Sequence, residues 1–333
     1  MRAVVITRFG APDVFSSAEI PVPDPGPGQV LIRVAASSVN PLDYKLRAGL
    51  LPELAPAFPA VLHGDVAGRV AALGPGVKGF AVGDQVYACA GGITGQGGAL
   101  AEFMVADADL VAHAPRSLSL AQAAVLPLVA ITAWEAVVDR ANVLPGQRVL
   151  VHGGAGGVGH VAIQLAKLRG AFVYTTVSSD AKAAVARELG ADGTINYRCT
   201  PVADYAAKWS DGDGFDVVID TVGGEALAAS FAAVKTSGTV VTIAARSQQD
   251  LTLLHNKGVT LHVVLMLLPM LTGKNRAHHG EILRSVAGLA DAGRLRPLIH
   301  SETFMFTEAG RAHSVLESGS ALGKVSLVSP WFC

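Results

Sequence analysis

Apolar residues recur along this chain with two periods, and the change from one to the other divides it. Up to about residue 120, short apolar runs at 3–6, 30–34 and 84–88 lie between glycine- and proline-rich clusters, such as those at 21–28 and 74–79. That pattern predicts short strands joined by turns. A helical pattern occupies 121–140, and Pro145-Gly146 follows it. Strand and helix patterns then alternate. Strands are expected at 148–151, 172–177, 194–196, 215–220, 239–243 and 260–265, with helices ending at 169 and spanning 180–189 and 224–234. Such alternation predicts an α/β unit with a parallel sheet covered on both faces. The last 70 or so residues (a helix at 280–292, a strand at 298–306, another helix, a strand at 324–328) break this rhythm. They are expected to return to the first domain and make it discontinuous.

The alternating part opens on Val149-Leu150-Val151-His152-Gly153-Gly154-Ala155-Gly156-Gly157-Val158-Gly159-His160. Gly154, Gly156 and Gly159 fit G-x-G-x-x-G between a strand and an apolar-periodic helix, the context a dinucleotide site requires. The first glycine permits the tight turn, the second lets the backbone approach a pyrophosphate, and the third lets helix and strand pack closely. Gly157 and Val158 complete the helix start, whose N–H groups and dipole favour phosphate.

Composition narrows the classes. In 333 residues of which 50% are hydrophobic, two substantial cores can be buried. A net charge of −1 without Lys/Arg runs gives no footprint for nucleic acid or acidic lipid. Cys89, Cys199 and Cys333 have no CxxC spacing, which fits a reducing cytoplasm better than a disulfide framework. No signal-peptide core is apparent at the start, and the apolar stretch 259–271 is too short to cross a bilayer as a helix.

The tip of the second strand of the alternating part decides which dinucleotide is expected. An acidic residue there bonds the ribose 2′-hydroxyl in NAD sites. Here the tip holds Val177 and Ser178, followed by Ser179, Asp180 and, one turn into the helix, Lys182. Ser178, Ser179 and Lys182 suit a 2′-phosphate, so NADP(H) is expected. The same serines could instead cap the helix with Lys182 solvated, and a register shift would bring Asp180 to the ribose.

Several stretches resemble the medium-chain dehydrogenase/reductase superfamily, and within it the zinc-free quinone oxidoreductase branch. They are Ser38-Val39-Asn40-Pro41-Leu42-Asp43-Tyr44, His63-Gly64-Asp65-Val66-Ala67-Gly68, Val82-Gly83-Asp84-Gln85-Val86, Ala123-Ala124-Val125-Leu126-Pro127 with Thr132-Ala133-Trp134, the glycine-rich turn, Leu189-Gly190-Ala191-Asp192 with Asn196-Tyr197, and Asp220-Thr221-Val222-Gly223-Gly224. The resemblance implies a discontinuous GroES-like β-barrel catalytic domain (1–120 plus 263–333) around an inserted Rossmann NADP-binding domain (121–262). It also implies a homodimer formed through the strand near 260–267. Thr132 falls at a position the family places near the nicotinamide, Tyr197 at one near the 2′-phosphate, and Lys324 at a C-terminal return toward the cofactor. Where zinc relatives carry Cys, His and Cys, this chain has Asn40, Gly64 and Leu128, with Asp65 beside the second. Gly64 and Leu128 cannot ligate a metal and Asn40 does not replace a thiolate, so no zinc is expected. A rearranged His63/Asp65/Cys89 site is the alternative weighed against this. The plainer reading is that His63 and Asp65 satisfy partners around the Gly64 turn.

Without a Lewis acid an alcohol is hard to oxidise. Hydride transfer from NADPH to a quinone or α,β-unsaturated carbonyl is easier, because the developing charge spreads over a hydroquinone or enolate. Such a site needs positioning, a dry pocket and donors aimed at one oxygen. Asn40 is the expected donor, and Tyr44, four residues on, could donate a hydrogen bond or a proton, or simply pack the pocket wall. Thr132 could bond the nicotinamide edge or its own helix backbone. Asp43 and Lys45 are read as a loop ion pair, and His278 and His279 as an exposed helix start. An enoyl-thioester reductase and a non-catalytic NADPH-binding sensor are the competing readings.

Overall fold

The turn-punctuated apolar runs at the start of the chain become seven strands: β1 (Arg2–Ile6), β2 (Phe15–Glu19), β3 (Gln29–Val39), β4 (Asp65–Leu73), β5 (Gln85–Cys89), β6 (Phe103–Asp107) and β7 (Val111–His113). A short helix α1 (Pro41–Arg47) follows β3 directly. Next come α2 (Leu120–Ala123) and α3 (Pro127–Trp134), then β8 (Arg148–Val151), α4 (Gly157–Leu168), β9 (Phe172–Val177), α5 (Asp180–Glu188), β10 (Gly193–Asn196) and α6 (Val202–Trp209). The alternation ends with β11 (Phe215–Asp220), α7 (Glu225–Ala233), β12 (Val234–Thr242), α8 (Thr252–Lys257) and β13 (Thr260–Val263). The chain closes with α9 (Leu268–Thr272), α10 (Arg276–Asp291), β14 (Ile299–Met305), α11 (Ala309–Glu317) and β15 (Lys324–Val328). This is a computed structural model, and it describes residues 1–332.

Contacts divide these elements into two units, residues 1–128 with the chain from 267 onward, and residues 129–266. In the first unit a seven-stranded mixed sheet runs β14-β15-β3-β4-β5-β7, with β6 also on β3. β3 gives one edge to β4 and shares the other between β6, along 29–33, and β15, along 36–39. With neighbours on both edges and cover on both faces, β3 is buried almost throughout instead of alternating. The antiparallel β15 sets Val325 opposite Val39 and Ser326 opposite Ser38, which carries Lys324 to the start of α1.

The second unit is a six-stranded, all-parallel sheet in the order β10-β9-β8-β11-β12-β13. The chain enters at β8 in the middle, moves outward through β9 and β10, and returns to β11. That leaves a topological switch point between β8 and β11, where open α/β sheets bind ligands at the carboxyl ends of their strands. Leu150, Phe215, Val218, Phe231 and Val240 form the centre of its core.

Five features depart from the sequence expectation. The helical pattern at 121–140 is broken between α2 and α3, with Pro127 as the first residue of α3, where its missing N–H costs nothing. α6 and α8 were not anticipated, and β12 starts at Val234 rather than 239. The unit boundaries fall later than expected at both ends. α2 packs on β3, β4, β5 and β15, and past β13 the Val264 N–H still donates to the Thr242 carbonyl (2.9 Å). His279 is not on an exposed helix start: α10 begins at Arg276 and His279 is fully buried.

Candidate functional site

In the parallel-sheet unit, β8 runs into the glycine turn and α4 begins at Gly157 with Gly156 as its cap. The turn is fixed by backbone bonds, Gly156 N–H to the Gly153 carbonyl (2.9 Å) and Gly154 N–H to the Thr176 carbonyl (3.3 Å). Two glycines are required by contact. A Cβ on Gly154 would stand 2.1 Å from Thr175 Oγ1, and one on Gly159 would stand 2.2 Å from the Gly153 carbonyl oxygen. At Gly156 a Cβ would meet the Gly153 carbonyl oxygen at 3.1 Å, a tight contact with backbone. The N–H groups of Gly157, Val158 and Gly159 begin the helix and have no intrahelical acceptor. This donor set fits a pyrophosphate.

The tips of β9 and β10 lie side by side, with Val177 opposite Asn196. Ser179 caps α5, its Oγ accepting from Lys182 N–H at 3.4 Å, so one of the two serines takes the capping role. The Ser178 hydroxyl and the Lys182 ammonium have no partner among the described residues. Asp180 is not at the strand tip; it is the first, exposed residue of α5. Tyr197 follows β10 and is 55% exposed. Beside it stands Arg198, exposed and with a guanidinium that has no partner among the described residues, a residue the sequence pattern did not single out. The strand register that gives Tyr197 its place was the signal that could have found it. Thr132 lies buried on α3.

In the mixed-sheet unit, a polar cluster forms at the junction of β3, α1, β4 and β15. Asp65 is its centre and is fully buried. One carboxylate oxygen accepts from Leu128 N–H (2.8 Å). The other accepts from Ser38 Oγ (2.6 Å), Asn40 Nδ2 (2.8 Å) and Lys324 Nζ (3.4 Å). Lys324 also donates to the Val39 carbonyl (2.9 Å) and to Asn40 Oδ1. Lys324, which the resemblance puts on the cofactor side, therefore has all three donors committed inside this cluster. Its burial pulls its pKa below the ordinary lysine value, against the opposing pull of Asp65 and Asp43.

Asp43 is no loop ion pair. It is buried, and its carboxylate caps α1 by accepting from Asn40 N–H at 2.7 Å. Burial, with Asp65 adding to it, pushes its pKa up to about 7 despite the Asn40 bond and Lys324. Two carboxylates facing one ammonium leave a surplus negative charge that a proton on Asp43 removes. The Asn-Pro-Leu-Asp spacing was the legible signal, since an acid three residues after a cap reaches back to it. Tyr44, one turn on, stays outside the cluster. Burial and the neighbouring Glu317 raise its pKa, so the phenol keeps its proton.

Behind the Gly64 turn, Ser37 Oγ donates to the Asp65 carbonyl (2.7 Å) and lies 3.2 Å from His63 Nδ1, while His63 Nε2 lies 2.9 Å from His313 Nε2. With the Ser37 proton spent on the carbonyl, His63 Nδ1–H donates to Ser37, and His313 Nε2–H donates to His63. Both rings are then neutral, as burial demands, with the His63 pKa down to about 3.

The zinc donor set of the superfamily does not fit here. Gly64 and Leu128 offer no side-chain ligand, the Asn40 oxygen faces an ammonium, and both Asp65 oxygens are taken. Among the described residues no group of three or more His, Cys, Asp or Glu could hold a metal ion.

Residues 26–116 match the family model described as alcohol dehydrogenase GroES-like domain, and residues 189–327 match that described as zinc-binding dehydrogenase. The chain is 35% identical to 2-methylene-furan-3-one reductase of Solanum lycopersicum, over 98% of this chain and 78% of that one. Among solved structures it is similar to an alcohol dehydrogenase superfamily protein from Novosphingobium aromaticivorans (TM-score 0.94, 42% identity, 98% and 99% of the two chains). It is also similar to Escherichia coli quinone oxidoreductase complexed with NADPH (TM-score 0.88, 27% identity, 98% and 100%).

Proposed function

Because the chain belongs to the medium-chain dehydrogenase/reductase superfamily, we propose that it is a zinc-independent, NADPH-dependent reductase of quinones or α,β-unsaturated carbonyls. The observation that carries this reading is the saturated Asp65 cluster. A lysine ammonium and three other hydrogen-bond donors use up the one carboxylate at the position where a metal would be held. With no ligand set for a Lewis acid, the chemistry left to these residues is reduction of an acceptor that is already electrophilic. The names of relatives, a furanone reductase and a quinone oxidoreductase, support the same substrate class.

Bound at the glycine turn, a reduced nicotinamide dinucleotide would supply the hydride. The chain's own residues do the rest. The α4 N-terminus holds the pyrophosphate. Ser178, Lys182, Tyr197 and Arg198 favour a 2′-phosphate. For an enone, two electrons arrive with the hydride at the β-carbon, the π pair moves to oxygen, and a proton completes the saturated ketone. Incubating the protein with NADPH and an enal, then identifying the product, tests this. The saturated aldehyde is expected, and an allylic alcohol as sole product would refute the reading.

The strand β13 ends the parallel sheet with one edge unpaired, and Val263 at its end and Leu265 just beyond it are about half exposed. This supports a homodimer formed through that edge, since natural proteins cover such edges. A monomeric mass in sedimentation at micromolar concentration would refute it. Cys89 and Cys199 are free thiols, which supports a reducing compartment such as the cytoplasm. No helix among the described residues is long and apolar enough to cross a membrane.

A further inference from the structure

A cavity of about 450 Å³ lies in the mixed-sheet unit, apart from the Asp65 cluster. Its walls are the turn that leads into β3, the β4–β5 loop, the single turn Ala108–Leu110 and α10. Small-molecule sites span about 300–1,000 Å³, and this volume falls within that range. Asp107, on the wall, pairs with Gln29 at the first residue of β3, whereas the Asp65 cluster sits where that strand ends. At about 3.3 Å per residue, the strand separates the two by about 30 Å.

The walls are tied together by the chain itself. Gly28 N–H donates to the Pro75 carbonyl (2.9 Å), and Ala108 N–H donates to the Gly28 carbonyl (2.9 Å). A Cβ on Gly280 would stand 2.5 Å from the Asp109 carbonyl oxygen, so glycine is what lets α10 close against that turn. Arg284 Nη1 lies 3.3 Å from the same point, which shows the guanidinium folded back one turn along α10.

The charges on this lining are not balanced within the protein. Asp107 is satisfied, accepting from Arg276 Nη1 (2.6 Å) and from Asp109 N–H (2.9 Å). The Lys78 ammonium, the Arg284 guanidinium and the Asp109 carboxylate line the cavity and have no partner among the described residues. Phe80 adds an apolar wall. A monocarboxylate ligand would use one of the two cations, and a second carboxylate on it would be repelled by Asp109. A phosphate monoester carries a charge of about −1.5 to −2 at pH 7 and uses both cations. Its oxygens match the guanidinium fork and the ammonium point charge. Ionised Asp109 only accepts, so it calls for hydroxyl donors on the rest of the ligand. We propose that this cavity is a second binding site, for a phosphate monoester of a sugar or other polyol: the phosphate lies between Lys78 and Arg284, and hydroxyl groups donate to Asp109. The site stands independently of the reductase reading.

Calorimetric titration of the full chain with ribose 5-phosphate, glucose 6-phosphate and glycerol 3-phosphate tests this, beside inorganic phosphate and ribose, with NADP⁺ present and absent. Saturable binding of at least one of the three esters is expected, about tenfold or more tighter than that of inorganic phosphate, with ribose alone unbound. NADP⁺ should leave this binding unchanged. Lys78→Met and Arg284→Met should each weaken the ester about tenfold or more. Asp109→Ala should also weaken the ester, while leaving inorganic phosphate bound as before or more tightly. All three side chains are exposed and outside the glycine turn and the Asp65 cluster, so the variants should keep the wild-type melting temperature and NADP⁺ affinity. Four results overturn the proposal. They are no saturable binding of any ester up to millimolar concentration, binding that the variants leave intact, displacement of the ester by NADP⁺, and equal affinity for the ester and inorganic phosphate, which would mark an unspecific patch of charge.

Discussion

Lys182, in the first turn of α5, and Arg198, just past β10, carry two cations with no partner among the described residues. A cation that bonds a 2′-phosphate contributes about 1.5–3 kcal/mol. Lys182→Ala and Arg198→Ala are each expected to raise the KM for NADPH roughly tenfold and to leave that for NADH nearly unchanged. Equal losses with both cofactors would remove the 2′-phosphate assignment. Asp43 gives a second prediction. Its folded-state pKa is about 7 against an ordinary 3.8, so between those values the native chain keeps a proton that the unfolded chain has released. The stability this contributes is complete below 3.8 and is lost as pH rises through about 7. Asp43→Asn can accept the same Asn40 N–H and does not titrate. Its melting temperature relative to wild type should therefore climb by several degrees between about pH 5 and about pH 8. A constant difference would show that Asp43 is not proton-bound at neutral pH. Single residues of this kind were the least legible part of the sequence. Asn40 and Asp65 could be singled out as uncommon residues at telling positions. That Lys324, more than 250 residues away in sequence, closes on both follows only from β15 pairing with β3.

Elements were legible wherever a period was strong and a stop signal followed. The sequence reading matched β8, β9, β11 and β15 residue for residue, because each is an apolar run flanked by Gly, Pro or polar clusters. The amphipathic spacing of Val202, Tyr205, Ala206 and Trp209 on α6 is as regular, and it was obscured by the charged residues around it. The junction of β8 and α4 depends on glycine for packing as well as for phosphate. Gly154→Ala would drive a methyl group into Thr175, whose hydroxyl already donates to the Val151 carbonyl at 2.6 Å. Overpacking of this kind costs about 1–3 kcal/mol. A lower melting temperature together with a weaker NADPH affinity is expected. Unchanged cofactor affinity would separate this glycine from the phosphate cradle.

At the scale of the molecule, burial holds three histidines neutral: His63 at about 3, His152 at about 4, and His313 well below its ordinary value. Between those values and about 6.5 the unfolded chain binds protons that the native chain refuses, so stability falls as pH falls through that window. Asp43 acts in the opposite direction, but it is one group against three. The melting temperature should drop steadily from about pH 6.5 to about pH 4.5, and a rise on acidification would contradict the burial of these rings. The two-unit plan was readable from the break in the chain's periodicity, while its boundaries were not. Those depend on which sheet α2 and the residues after β13 pack against, and no local pattern reports that. The central claim is that this fold reduces an activated acceptor with NADPH and without a metal. It is tested most directly by following NADPH at 340 nm with chelator-treated protein and a quinone or an enal, beside NADP⁺ with a primary alcohol. Oxidation of NADPH at the same rate before and after chelation, with no turnover of the alcohol, is the predicted result; alcohol oxidation that the chelator abolishes would contradict it.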